Sequence, residues 1–157
     1  MTLKQVLDNS NTMQIETFNE HSIYKIADVN PIIEALESYI PIGYTEISIA
    51  FVTEQTICEL HERFLQNPDP TEVITFPASD EDIEKIGEIC ISVDEALKYC
   101  NENNSLEEEL TLYLVHGWLH LAHYDDINEN DRLLMRQKEK DTLDFLKTQN
   151  TSRIILL

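Results

Sequence analysis

The feature that most constrains the fold is a segment at residues 106–122 that would be apolar on almost every side of a helix. Ser105 and Glu108 have the spacing of a capping box, which predicts where this helix begins. A helix that is apolar all round has to be buried, because no side of it suits water. The rest of the chain must therefore surround it. Its apolar positions are Leu106, Leu110, Leu112, Leu114, Val115, Trp118, Leu119 and Leu121.

The remaining elements follow from periodicity and breakers. Asn30 is the predicted N-cap of a helix with Pro31 at its first position. Strands and helices mix without strict alternation, so we expect an α+β fold. It would be one domain over residues 1–157, with a small mixed sheet of three or four strands packed against a helical layer around the central buried helix. The pattern predicts strands at 14–18, 45–52, 73–76 and 86–93, and helices at 28–40, 54–66, 94–104 and 129–148.

Composition excludes several classes of protein. There are 30 acidic and 11 basic residues, a net charge of −19, which argues against a general nucleic-acid coat or a binder of anionic membranes. The glycines stand at 43, 87 and 117, too far apart for a phosphate-binding loop. The three cysteines lack C-x-x-C spacing, which fits a reducing compartment. The first residues lack the pattern of a signal peptide, so we expect a cytoplasmic protein without a membrane partner.

The stretch HGWLHLAHYDD at residues 116–126 concentrates side chains that can bind metals. His116 and His120 are four residues apart, so a helix places both rings on one face. Buried imidazoles need partners, which here could be a metal ion or hydrogen bonds to backbone and carboxylate groups. Gly117 occupies the position of the catalytic Glu in H-E-x-x-H peptidases, so a peptidase mechanism of that kind lacks its base.

The same stretch resembles the signature H-G-x-L-H-L-x-G-Y-D-H of the YbeY family of metal-dependent endoribonucleases, matching seven of its nine fixed positions. Two further blocks occur in the family's order: PTEVITFP at 70–77 is similar to P-T-D-V-L-S-F-P, and GEICISVD at 87–94 to G-D-I-x-I-x-V-D. The resemblance implies an α+β fold, a zinc ion, and hydrolysis of single-stranded RNA in ribosomal RNA maturation and ribosome quality control. The partners implied are ribosomal RNA and ribosomal proteins, with no DNA.

Three positions depart from the family pattern. The third metal-binding histidine of the family falls on Asp126, and a carboxylate is also a zinc ligand. Two histidines and one carboxylate suit Fe(II) and other first-row metals as well. His123 stands where the family has a glycine suited to a positive φ at the helix end, and it is the alternative third ligand. A family arginine falls on Leu65, and Arg63 nearby would point to another side of a helix.

The resemblance thus predicts a metal site at His116, His120 and Asp126 that activates water, with Asp125 as a second-shell group orienting a ligand. Two other hypotheses stay open. One is a catalytically weakened family member that docks on the ribosome or another partner, which the changes at Leu65 and Asp126 favour. The other is a metallohydrolase of a different substrate. The oligomeric state and the RNA cleavage site do not follow from the sequence.

Overall fold

The computed structural model describes residues 12–151, 153, 154 and 156, and residues 1–11, which include most of the segment used to judge the signal peptide, lie outside them. Every predicted strand and helix is present. The main difference is α3, which ends before the Asn-rich residues 101–104. The elements are β1 (Gln14–Asn19), α1 (Asn30–Tyr39), β2 (Glu46–Val52), α2 (Glu54–Leu65), β3 (Val73–Phe76), β4 (Ile86–Ser92), α3 (Val93–Tyr99), α4 (Leu106–Leu121) and α5 (Glu129–Thr148).

The four strands form one mixed sheet in the order β1-β2-β4-β3. β1 pairs with β2 and β2 with β4 in parallel, and the short β3 joins the edge in the antiparallel sense. Parallel neighbours need a crossover, and α1 and α2 lie on the connections that follow β1 and β2. The predicted α+β fold with a small mixed sheet and a helical layer is therefore confirmed.

The central helix α4 is buried as its apolar sequence predicts. Leu110, Leu114 and Leu119 are fully buried, and Ser105 caps the helix by accepting a hydrogen bond from the Glu108 N–H. Trp118 belongs to the core, where its indole N–H donates to the Ile40 carbonyl at 2.9 Å. Within the described residues, no helix has the length and apolar character needed to cross a membrane.

The predicted N-cap of α1 is wrong. Val29 occupies the cap position without a side-chain hydrogen bond, and Asn30 is already helical. The reason is Asp28, whose carboxylate accepts the Asn30 N–H at 2.9 Å and so turns the chain before the helix begins. Pro31 lies in the first turn, as predicted.

Gly117 lets α4 lie close against the sheet. A Cβ atom at this position would lie 2.7 Å from Ile89 Cγ2 and 3.2 Å from Val73 Cγ1, which belong to β4 and β3. Both distances are shorter than ordinary carbon contacts, so any side chain would push the helix and the strands apart. The lack of a side chain at Gly117 therefore allows the close packing of α4 on the sheet.

Gly117→Ala should destabilise the chain by about 1–3 kcal/mol, the usual cost of an extra methyl group in a filled core. Urea unfolding followed by circular dichroism would measure this, with Asn130→Ala on the exposed side of α5 as the control. Equal stability of the two variants would contradict the close approach of α4 to the sheet.

Candidate metal centre

Three side chains from two neighbouring segments converge at the end of α4. His116 and His120 lie one turn apart on the helix, with 3.0 Å between their Nε2 atoms. Asp126 Oδ2 lies 3.5 Å from His116 Nε2 and 3.6 Å from His120 Nε2. These three groups could hold a metal ion, since each offers one ligand atom and all three atoms lie within 4.8 Å of one another.

The chain reversal after α4 places Asp126. The Tyr124 N–H donates to the Leu119 carbonyl and the His123 N–H to the His120 carbonyl, each at 3.0 Å. His123 adopts φ 72°, so it takes the left-handed conformation that usually falls to glycine at this position. A positive φ was expected here from the family glycine, and the structure confirms it. The following residues then run back beside the last turn of α4.

The distances fit a tetrahedral ion. Zinc bonds to nitrogen and oxygen of about 2.0–2.1 Å require ligand atoms about 3.3 Å apart, and the three observed separations bracket that value. The side chains of His116, His120 and Asp126 are 25%, 24% and 42% exposed, so the group opens to solvent on one side. Three protein ligands beside an open position are typical of catalytic zinc sites rather than structural ones.

Glu139 supports this group from α5, and the sequence analysis missed it. Its Oε1 lies 2.6 Å from His116 Nδ1. Because a carboxylate accepts, Nδ1 carries the proton and Nε2 keeps a lone pair for an ion. The sequence signal was a carboxylate on the buried stripe of α5, between Met135 and the positions of Thr142 and Leu146.

The surroundings give the two rings different affinities for a proton. Burial lowers the pKa of His116, but the hydrogen bond and charge of Glu139, together with Asp126, outweigh it, so the pKa is raised. Burial and the neighbouring His116 lower the pKa of His120. His120 is therefore the ring that more readily stays neutral, the state in which imidazole binds metals, and an ion at His116 would compete with a proton.

The two remaining candidate positions lie outside the group. His123 is exposed after the helix end and is not among the three residues that converge. Asp125 is also exposed; its charge raises the pKa of His120, but within the described residues it makes no hydrogen bond to either ring. Glu139 contacts a ring nitrogen of the group, and the second-shell role of Asp125 stays a prediction.

Comparison with known proteins agrees with the sequence motifs. A family model described as Endoribonuclease YbeY matches residues 6–147. The chain belongs to the YbeY family. The resemblance seen in the three sequence blocks is thereby confirmed, and the family to which the chain belongs is one of endoribonucleases, which are hydrolases.

The matches between this chain and individual relatives cover most of the length of each relative. The Endoribonuclease YbeY of Protochlamydia amoebophila is 40% identical over 106 residues, which are 65% of this chain and 71% of that protein. That of Thermoanaerobacter sp. strain X514 is 27% identical over 152 residues, 87% of this chain and 90% of the relative. The solution structure of TM1509 from Thermotoga maritima superposes with a TM-score of 0.56 at 28% identity, covering 88% of this chain and 93% of that one.

An apolar residue, Leu65, lies in the same groove as one of the candidate ligands. Leu65 lies 58% exposed in a groove between α2 and β3, and His120 lines the other end of the same groove. The position on which the resemblance places the family arginine thus lies in the same groove as His120, and the side chain here is apolar. Arg63 does not line the groove, and its guanidinium lies over the ring of Phe64, 5.7 Å from the centroid. The remaining lining residues are Phe64, Val73, Ile74, Thr75 and Phe76.

Glu139→Gln should weaken zinc binding by roughly 10–100-fold, because the amide keeps the shape of the side chain but not the charge that strengthens His116 as a donor. Titration against a competing chelator would measure it, with Asp144→Asn removing one exposed carboxylate from the same helix as the control. Equal zinc affinities for the two variants would show that Glu139 does not support the ligand.

Proposed function

We propose that this chain is a metal-dependent endoribonuclease that cleaves single-stranded RNA in ribosomal RNA maturation and ribosome quality control. Its ligands would be His116, His120 and Asp126 around one zinc ion, with another first-row divalent metal as the alternative. The observation that carries the proposal is the convergence of three ligand atoms, at separations that suit a tetrahedral ion, in a group open to solvent. Membership of an endoribonuclease family supports RNA as the substrate.

The chemistry requires little beyond positioning and charge. A divalent ion at this place would polarise a phosphoryl oxygen and make water a better nucleophile at neutral pH. With an ion bound, His116 and His120 would each present an unprotonated Nε2 atom, and Glu139 contacts the first ring at Nδ1. Asp126 adds the negative charge that the family's third histidine does not have, so the ion would be a weaker Lewis acid here than beside three neutral ligands. This favours slower turnover rather than loss of function.

The assignment of the whole chain extends this proposal. We infer one endoribonuclease-like domain over residues 1–157, acting in the cytoplasm with ribosomal RNA and ribosomal proteins as its partners. Binding on the ribosome would compensate for a net charge of −19, which opposes free diffusion onto an RNA surface.

The test is cleavage of a single-stranded RNA oligonucleotide with matched variants. His120→Ala and Asp126→Asn should each reduce turnover by a factor of about 100 or more, because the ion would lose a ligand. Chelator should abolish cleavage by the wild type and zinc should restore it. His123→Asn is the matched control, since asparagine tolerates the positive φ of this exposed position.

Each outcome separates two hypotheses. Unchanged cleavage by His120→Ala would contradict the nuclease at this site. Loss of activity in His123→Asn with full activity in Asp126→Asn would make His123 the third ligand. A wild type that binds ribosomes but cleaves no RNA with any metal would favour the binding module. Elemental analysis of protein purified without added metal would identify the ion.

A further inference from the structure

A second polar cavity adjoins the candidate metal centre on the α5 side. It has a volume of about 200 Å³ and shares His116 and Asp126 with the centre. Its remaining polar lining comes from Glu72 before β3, Tyr113 on α4, and Arg132 and Arg136 on α5, in addition to Glu139. The cavity therefore borders two of the three candidate ligands, and it adds hydrogen-bond donors that they do not have.

Tyr113 lines this cavity, and its buried hydroxyl group has no partner in the described chain. The residue is 2% exposed, and within the described chain its Oη makes no hydrogen bond. It lies three residues before His116, so both side chains project from one face of α4. Burial, reinforced by Glu72 and Glu109, raises the pKa of the phenol, so the group remains an O–H donor. An unpaired buried hydroxyl is costly, and a ligand with an acceptor oxygen would satisfy it.

Two arginines supply positive charge to the same wall. Arg132 and Arg136 are one turn apart on α5, and the chain has 11 basic residues in all against 30 acidic ones. Arg132 is anchored, since its Nη1 donates to the Ile127 carbonyl at 2.9 Å beside Asp126. Arg136 is exposed, and in the part of the chain that the structure describes it makes no hydrogen bond or ion pair. Its guanidinium is therefore available to a ligand.

We propose that Arg136, assisted by Arg132 and the Tyr113 hydroxyl, binds an RNA backbone phosphate next to the one that lies at the metal centre. This rests on the proposed nuclease function. The two guanidinium groups and the phenol are all donors, and a phosphodiester offers only acceptors. The cavity would thus bind the RNA close to the candidate centre, and the apolar side chain of Leu65 does not supply such a contact.

Glu72 favours a ribonucleotide over a bare anion. Its carboxylate faces the same cavity, and burial chiefly raises its pKa, with His116 opposing this. An acceptor in this place can accept a hydrogen bond from a ribose 2′-hydroxyl group, which inorganic phosphate does not have. RNA supplies both the phosphate and the hydroxyl, whereas DNA supplies only the first. We therefore expect the cavity to prefer RNA to DNA of the same sequence.

The experiment measures RNA binding separately from cleavage. Fluorescence anisotropy of a labelled single-stranded RNA with chelated protein, at several salt concentrations, gives the Kd and its salt dependence. Arg136→Ala should weaken binding about tenfold and lower the slope of log K against log salt by about 0.7, the value for one phosphate contact on a single strand. Arg136→Lys should fall between, because it keeps the charge and loses the two-pronged donor. Lys147→Ala removes an exposed charge further along α5 and should change the Kd less than twofold.

Tyr113→Phe separates a binding role from a structural one. If the hydroxyl only lies unpaired in the core, its removal should leave RNA binding alone and keep or raise the Tm. A contact to phosphate predicts a Kd several-fold weaker at an equal or higher Tm. With the metal restored, KM should rise more than kcat falls in both the Arg136→Ala and Tyr113→Phe variants.

The results distinguish this inference from the function on which it rests. A wild type that binds and cleaves RNA, with Arg136→Ala and Tyr113→Phe both indistinguishable from Lys147→Ala, overturns the phosphate site and leaves the nuclease intact. A wild type that neither binds nor cleaves RNA overturns both. Equal affinity of the wild type for RNA and for DNA of the same sequence contradicts the role of Glu72.

Discussion

The rest of the structure depends on the contact between α4 and the sheet at Gly117. At this position the helix comes so close to Ile89 and Val73 that a single methyl group would not fit. That contact sets the distance between α4 and the strands β3 and β4. It therefore also sets the position of His116, the residue before Gly117. The motif H-G-x-x-H thus joins two ligands through the residue that positions their helix. In peptidases with the H-E-x-x-H motif the second residue is the catalytic base, whereas here the second residue is a glycine that allows close packing.

Two further constraints bring the candidate ligands together at the end of this helix. The left-handed residue His123 ends α4 abruptly, and the returning chain brings Asp126 within 3.5 Å of His116 and 3.6 Å of His120. Glu139 then orients His116 from the neighbouring helix. The turn after α4 thus places Asp126 near Nε2 of His116, and the packing of α5 on α4 places Glu139 at Nδ1 of the same ring. Asp126, which stands where the resemblance expects a third histidine, keeps separations that suit an ion and adds a negative charge to the group.

Much of this could be predicted from the sequence, because it rests on local rules. The apolar character of α4, its cap at Ser105 and the helical spacing of His116 and His120 are read within one segment. Glu139 could not be found in this way, since its contact joins residues 23 positions apart and depends on how α4 and α5 pack. The prediction of the α1 N-cap was wrong because Asp28 and Asn30 both have side chains that can cap a helix. The carboxylate of Asp28 is the one that accepts a hydrogen bond at the helix N-terminus. Tyr113 resembled any other core aromatic, and only the folded chain shows its hydroxyl without a partner.

A net charge of −19, averaged over the surface, opposes the binding of RNA. Binding depends, however, on the charge near the site. Arg132 and Arg136 lie on the cavity wall beside Asp126, and two positive charges from an ion would add to theirs. Most of the remaining acidic surface would repel RNA that approaches from other directions. A nuclease of the kind proposed would bind single strands weakly unless a loop or an end of the RNA reached the cavity. Acidic charge would then contribute to selectivity, because it confines productive binding to the one face where donors and candidate ligands lie together.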